Sequence, residues 1–168
     1  MALHRGTMND LAKATGRELN KRTFINPPKE PLMLLNPYLP FNGDCEAAFK
    51  FYEQCLGAKI EMMLTHAESP VACETPAEWQ NKILHARLSL DGQTLMGSDS
   101  PPGRYREPKG IWVSLGIKDP AEAERIFAAL SENGEVVMPI GETFWALRFG
   151  MLFERFKIPW MINCEKPA

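Results

Sequence analysis

The sequence predicts an α+β protein of two tandem β-α-β-β-β modules, whose strands form a U-shaped mixed sheet around a trough with the helices outside. Three observations predict it. Two amphipathic helices, each opened by an aspartate and stopped at a glycine, begin at Asp44 and Asp119, 75 residues apart. Each follows one strand-like run and precedes several more. Asp91-Gly92 sits between two alternating runs, a type I′ hairpin signal that demands antiparallel pairing.

Residues 34–41 read as the first strand, turned by Asn42-Gly43-Asp44. Asp44 is a good N-cap, since its carboxylate can accept from the free N–H groups of the first turn. Ala48, Phe51, Tyr52 and Cys55 then share one helical face, and Gly57 ends the helix. Residues 58–66 are a strand, and a Pro, Glu and Ser-rich loop runs to 81. Residues 82–90 and 93–98 form the hairpin, and 99–110 a loop of Pro, Gly and Arg. The order then recurs with a strand at 111–118. Asp119 caps the second helix, Pro120 takes its first position and Glu122 completes a capping box. Ala123, Ile126, Phe127 and Leu130 make its buried stripe, Asn133-Gly134 its end. Strands follow at 135–139, 145–152 and 158–163.

Residues 1–33 carry six basic and three acidic side chains and end among prolines. They read as a flexible basic N-terminal arm before a domain over 34–168. A chain of 168 residues buries a core without staples. Its net charge of −2 offers no general attraction to nucleic acid or anionic lipid, and no apolar run is long enough to span a membrane. Without a secretory h-region or a C-x-x-C spacing, its four cysteines read as reduced thiols of a cytoplasmic protein. Neither a Walker A loop nor G-x-G-x-x-G, G-x-S-x-G or H-E-x-x-H occurs.

Four strings carry a resemblance: NPYLPFNGDCEAAFKFYEQCLGAKI, ILHARL, TLMGSDSPPG and TFWALRFGMLFERFKIPWMIN. In this order they resemble the vicinal oxygen chelate superfamily (glyoxalase I, bleomycin-resistance proteins, dioxygenases), and within it the PhnB-like group. The resemblance implies one small-molecule site in the trough and a homodimer. It also implies a divalent metal in some relatives, with ligands on four strands. At those positions this chain has Asn36 or Pro37, His85, Trp112, and Trp160 or Met161. Only His85 binds a metal well, and one imidazole does not hold zinc or its neighbours. Glu154 and Lys157 stand where relatives carry Asp and Gly, so the last turn is expected to differ.

In the strand holding 83–90, Leu84, Ala86, Leu88 and Leu90 share one face, and His85, Arg87 and Ser89 the other. If the apolar face meets a helix, His85 and Arg87 look into the trough. There His85 serves as proton donor or acceptor, the candidate catalytic group, and Arg87 as a fork for an anion. Arg148, embedded in aromatics, reads as part of a second pocket wall, paired to a ligand acid or to Glu154, or as a structural ion pair among core aromatics. Trp112 and Trp160 read as ring faces of the pocket or as core. Tyr38 and Ser98, within the matching strings, complete the candidate contacts. Arg104, Arg106 and Lys109 read as a solvated loop or an anion-clamping lid. Cys45 sits where a helix dipole lowers a thiol pKa, and Met62, Met63 and Met96 read as core filling. The expected function is binding of a small anionic or aromatic molecule, with the reaction unassigned. The competing expectations are a divalent-metal lyase, isomerase or dioxygenase using His85, and a non-catalytic drug-sequestering protein.

Overall fold

The computed structural model describes residues 33–70, 72–101 and 103–167. The expected arm lies outside the described residues, except for Met33 at its end.

Two β-α-β-β-β modules follow one another. The first holds β1 (Tyr38–Phe41), α1 (Cys45–Leu56), β2 (Lys59–Thr65), β3 (Ile83–Leu90) and β4 (Gln93–Asp99). The second holds β5 (Val113–Gly116), α2 (Pro120–Ser131), β6 (Glu135–Gly141), β7 (Ala146–Phe153) and β8 (Pro159–Glu165). The strand orders are β1-β4-β3-β2 and β5-β8-β7-β6, so the internal repeat extends to topology. In each sheet the opening strand pairs parallel with the closing strand, and the other pairs are antiparallel.

Both opening strands are shorter than the sequence suggests. β1 starts after Pro37, whose carbonyl still accepts from the Met96 N–H at 3.0 Å, and β5 starts where Val113 meets Trp160. The loop after β2 contains two 3-10 turns, Ala72–Glu74 and Ala77–Trp79. Asp91 and Gly92 adopt φ of 47° and 80°, as a type I′ hairpin requires.

The helix ends show what tertiary structure changes. Asp119 accepts from the Ala121 N–H at 3.1 Å, as expected of a cap. Glu122, however, pairs with Arg125 instead of closing a capping box. Asp44 makes no side-chain cap bond. Instead Asp99, at the end of β4, accepts from the Cys45 N–H at 2.9 Å and from the Ile83 N–H at 2.8 Å. One buried carboxylate therefore ties the start of α1 to the start of β3. Gly57 ends α1 with φ of 67°. Asn133, with φ of 58°, takes the left-handed position after α2. Gly134 is needed for a different reason: an added Cβ would lie 2.4 Å from the Phe153 carbonyl oxygen.

Each sheet has a helix-bearing face and an open face. Leu39, Phe41, Ala86, Leu88 and Leu95 are buried on the first, toward Ala48, Phe49 and Tyr52 of α1. Ile162, Leu152 and Cys164 are buried on the second, where α2 presents Ala123, Ile126, Phe127 and Leu130. Burial of each large side chain stabilises by about 2 kcal/mol. The modules are joined through α1: the Tyr52 ring lies 5.2 Å from that of Trp160, and Phe51 lies 6.1 Å from Phe156. The Arg155 guanidinium covers the Phe51 ring at 4.3 Å.

The last turn keeps its left-handed position although glycine is absent: Lys157 adopts φ of 68°. Glu154 accepts from the Phe156 N–H at 2.7 Å and the Ile158 N–H at 3.0 Å, which holds the chain in that turn. These bonds offset the cost of a side chain in left-handed space.

Candidate functional site

Alternation along β1 puts Leu39 and Phe41 under α1 and leaves Tyr38 and Pro40 on the open face. Along β3 the buried Ala86 and Leu88 leave His85 and Arg87 on that same face. Along β4 the buried Leu95, Gly97 and Asp99 leave Met96 and Ser98 there. Register brings them together: Met96 lies between Tyr38 and Arg87, and Ser98 lies beside Pro40. Met62 pairs with Arg87 on the outer side and is exposed. Met62 and Met96 are thus surface residues of the open face, while Met63 packs against the core as expected.

The Tyr38 and His85 rings stack with centroids 5.8 Å apart. The phenol oxygen lies 3.3 Å from His85 Nδ1. A Tyr38 hydroxyl that donates to Nδ1 fixes the proton on Nε2, leaving that nitrogen as the donor of the site.

In the second module Val113 and Leu115 pack on the core, so Trp112 and Ser114 belong to the opposite face. The Trp112 ring rests on Phe153 at 5.2 Å. A cleft of about 520 Å³ runs between β1 and β5. Tyr38 and Pro40 form one bank, Trp112, Ser114 and Pro159 the other, and Lys109 stands at its edge. The volume falls within the range of small-molecule sites. Tyr38 belongs both to the cleft and to the pair with His85, which connects the two.

The remaining expected site residues are placed elsewhere. Arg87 is exposed on the open face and does not line the cleft. Arg148 lies against α2, ion-paired with Glu124, not with Glu154. Arg148 alternates in step with Gly150 and Leu152, which face α2, so its guanidinium lies on the helix side. Trp160 is buried at the module junction beside Tyr52, and it lines a smaller cleft of about 270 Å³ on the helix side with Leu56 and Leu88. Arg104 is exposed, and Arg106 donates to the Gly103 and Tyr105 carbonyls of its own loop.

Cys45 is not an activated thiol. Burial pushes it up, and the nearby Asp99 carboxylate adds to the effect. Burial likewise pushes the Cys55 thiol up to about 11. All four cysteines are free, and Cys73 is the exposed one.

The donor set does not fit the divalent cation that the resemblance implies. Among the described residues no three His, Cys, Asp or Glu side chains gather, and the neighbour of the His85 imidazole is a phenol. Such cations need three or four good ligands.

Sequence reasoning missed two buried carboxylates, Asp99 and Glu154, because a strand-ending Asp and a hairpin Glu look like ordinary polar turn residues. It also weighed Lys109 mainly as a solvated loop residue. No local signal shows that its loop borders the cleft.

The profile of the Glyoxalase/Bleomycin resistance protein/Dioxygenase superfamily matches residues 34–162. Protein YjdN of Escherichia coli (strain K12) is 34% identical over 142 residues, spanning 80% of this chain and 97% of that protein. The crystal structure of protein PA1353 from Pseudomonas aeruginosa is 48% identical with a TM-score of 0.74, covering 80% of this chain and 99% of that one. A PhnB protein from Bacillus cereus, 21% identical, shares the fold with a TM-score of 0.67 over 79% of this chain and 99% of that one.

Proposed function

Since the chain belongs to the glyoxalase/bleomycin resistance protein/dioxygenase superfamily, we propose that it binds a small anionic or aromatic molecule in the cleft between β1 and β5. One observation carries this reading: a cleft of ligand size flanked by Tyr38 and Trp112, each ring held in place by a second ring. Rings braced in this way lose little freedom when a ligand stacks on them. His85, beside Tyr38, offers its Nε2–H to the ligand as a donor. Ser98 and Arg87 extend the contact surface along the open face.

A second copy of the chain completes the cover. Val136, Val137 and Met138 are all exposed on β6, an edge strand, and such edges call for a partner. Light scattering on the purified protein is expected to give twice the 19.0 kDa chain mass. A monomer at micromolar concentration would remove this part of the proposal. No helix among the described residues is long and apolar enough to cross a membrane, and the free thiols suit a cytoplasmic location.

The binding test uses the neutral fluorescent aromatic N-phenyl-1-naphthylamine. The wild type is expected to bind one dye per chain, and Tyr38→Ala or Trp112→Ala to weaken binding by about tenfold, the loss of one aromatic contact. Circular dichroism verifies that the variants fold. Equal affinity in wild type and in the double variant would place the ligand elsewhere. Elemental analysis addresses the metal-enzyme alternative, which a stoichiometric metal lost on His85→Ala would favour.

A further inference from the structure

The cleft between β1 and β5 has uneven electrostatics. Of the side chains that line it, Lys109 alone carries a formal charge, and no carboxylate is among them. Lys109 takes part in none of the ion pairs found among the described residues. The two arginines of the same loop differ from it. Arg106 is occupied with loop carbonyls, and neither it nor Arg104 lines the cleft. The strand arginines expected to meet an anion are also elsewhere, Arg148 on Glu124 and Arg87 outside the lining.

The other determinants of the cleft are flat and apolar. The Tyr38 ring is backed by His85 and the Trp112 ring by Phe153, and Pro37, Pro40, Pro108 and Pro159 add rigid walls. Ring faces prefer planar partners. An unpaired ammonium at the rim of an apolar cleft favours a negative group on that partner, through an attraction that competing carboxylates do not cancel.

We propose that the cleft selects planar aromatic monoanions, such as aryl carboxylates, and that Lys109 is the residue that sets the preference for negative charge. The ring lies between the banks of β1 and β5, and the carboxylate reaches the rim at Lys109. This rests on the cleft being the binding site, so the test separates the two ideas.

Displacement of N-phenyl-1-naphthylamine by 2-naphthoate and by its neutral counterpart 2-naphthamide reads the charge preference at constant ring shape. The wild type is expected to prefer naphthoate about fivefold, as suits one partly exposed charge pair. Raising the salt from 20 mM to 500 mM is expected to shrink that preference. Lys109→Ala is expected to abolish the preference, Lys109→Arg to keep it, and Lys109→Glu to reverse it. Dye binding with equal displacement by the two competitors in wild type would overturn the role of Lys109 while leaving the cleft reading intact. A naphthoate preference that survives in Lys109→Ala would likewise overturn it. Failure of the dye to bind at all would remove both.

Discussion

The Tyr52 hydroxyl, on the helix of the first module, donates to Glu154 Oε1, in the last turn of the second, at 3.2 Å. Both side chains are fully buried. The same carboxyl also receives the Phe156 and Ile158 N–H groups. One group therefore serves the junction between modules and the left-handed turn at Lys157. Burial raises the Glu154 pKa above its ordinary 4.5, against the lowering effect of its three donors.

That shift makes stability depend on pH. With a raised folded-state pKa, the folded form holds its proton at pH values where the unfolded chain has already lost it. The contribution is complete below 4.5 and is lost as pH rises through the folded-state value. Urea midpoints of wild type measured upward from pH 4.5 are expected to fall relative to those of Glu154→Gln, which cannot titrate. Parallel curves would show that Glu154 titrates normally. Glu154→Ala, which leaves three donors unpaired, is expected to cost about 3 kcal/mol.

The two aspartates near the start of α1 are expected to behave oppositely. Asp99→Ala strips the acceptor from the buried Cys45 and Ile83 N–H groups and is expected to cost about 2–4 kcal/mol. Asp44→Ala removes no cap bond and is expected to stay within about 0.5 kcal/mol of wild type. Thermal unfolding of the pair decides it, and similar losses in both would mean that Asp44 is the working cap.

Gly97 and Gly150 have no room for a side chain. A Cβ at 97 would lie 2.8 Å from Phe49 and 2.9 Å from the Leu39 carbonyl oxygen; one at 150 would lie 2.6 Å from Phe127. Alanine at either site is expected to destabilise by about 1–3 kcal/mol through overpacking of helix on sheet. A backbone atom also stands close at both sites, the Leu39 carbonyl oxygen at 97 and the Ile140 Cα, 3.0 Å away, at 150, so neither variant relaxes by a rotamer change alone, and both are expected to show lower midpoints in chemical denaturation.

Thiol labelling is expected to divide the cysteines by burial. Cys73 is exposed, while Cys45, Cys55 and Cys164 are buried. A chromogenic disulfide reagent is expected to react quickly with one thiol per native chain and with four after denaturation. Fast reaction of a second thiol in the native protein would contradict the packing around α1.

Much of the architecture was legible because it rests on local rules. The face pattern of 83–90, the Asp91-Gly92 turn and the Asp119-Pro120 helix start each follow from a few neighbouring residues, and the 75-residue repeat from two such local patterns recurring. The shared open face of Tyr38, His85 and Ser98 was legible because alternation there is unbroken. At Arg148 the ion pair forms, but with Glu124 and not Glu154, because the side chain shares the helix-facing side of Gly150 and Leu152.

The sequence by itself determined two β-α-β-β-β modules and which face of each regular strand is apolar, since periodicity and turn chemistry act over a handful of residues. Only the tertiary structure decided that Asp99 caps α1, that Glu154 is buried under Tyr52, and that Lys109 borders the cleft beside Tyr38 and Trp112. Asp99 and Cys45, Glu154 and Tyr52, and Lys109 and Tyr38 lie tens of residues apart in the chain. Their meeting depends on how the two sheets pack around α1, which no local pattern encodes.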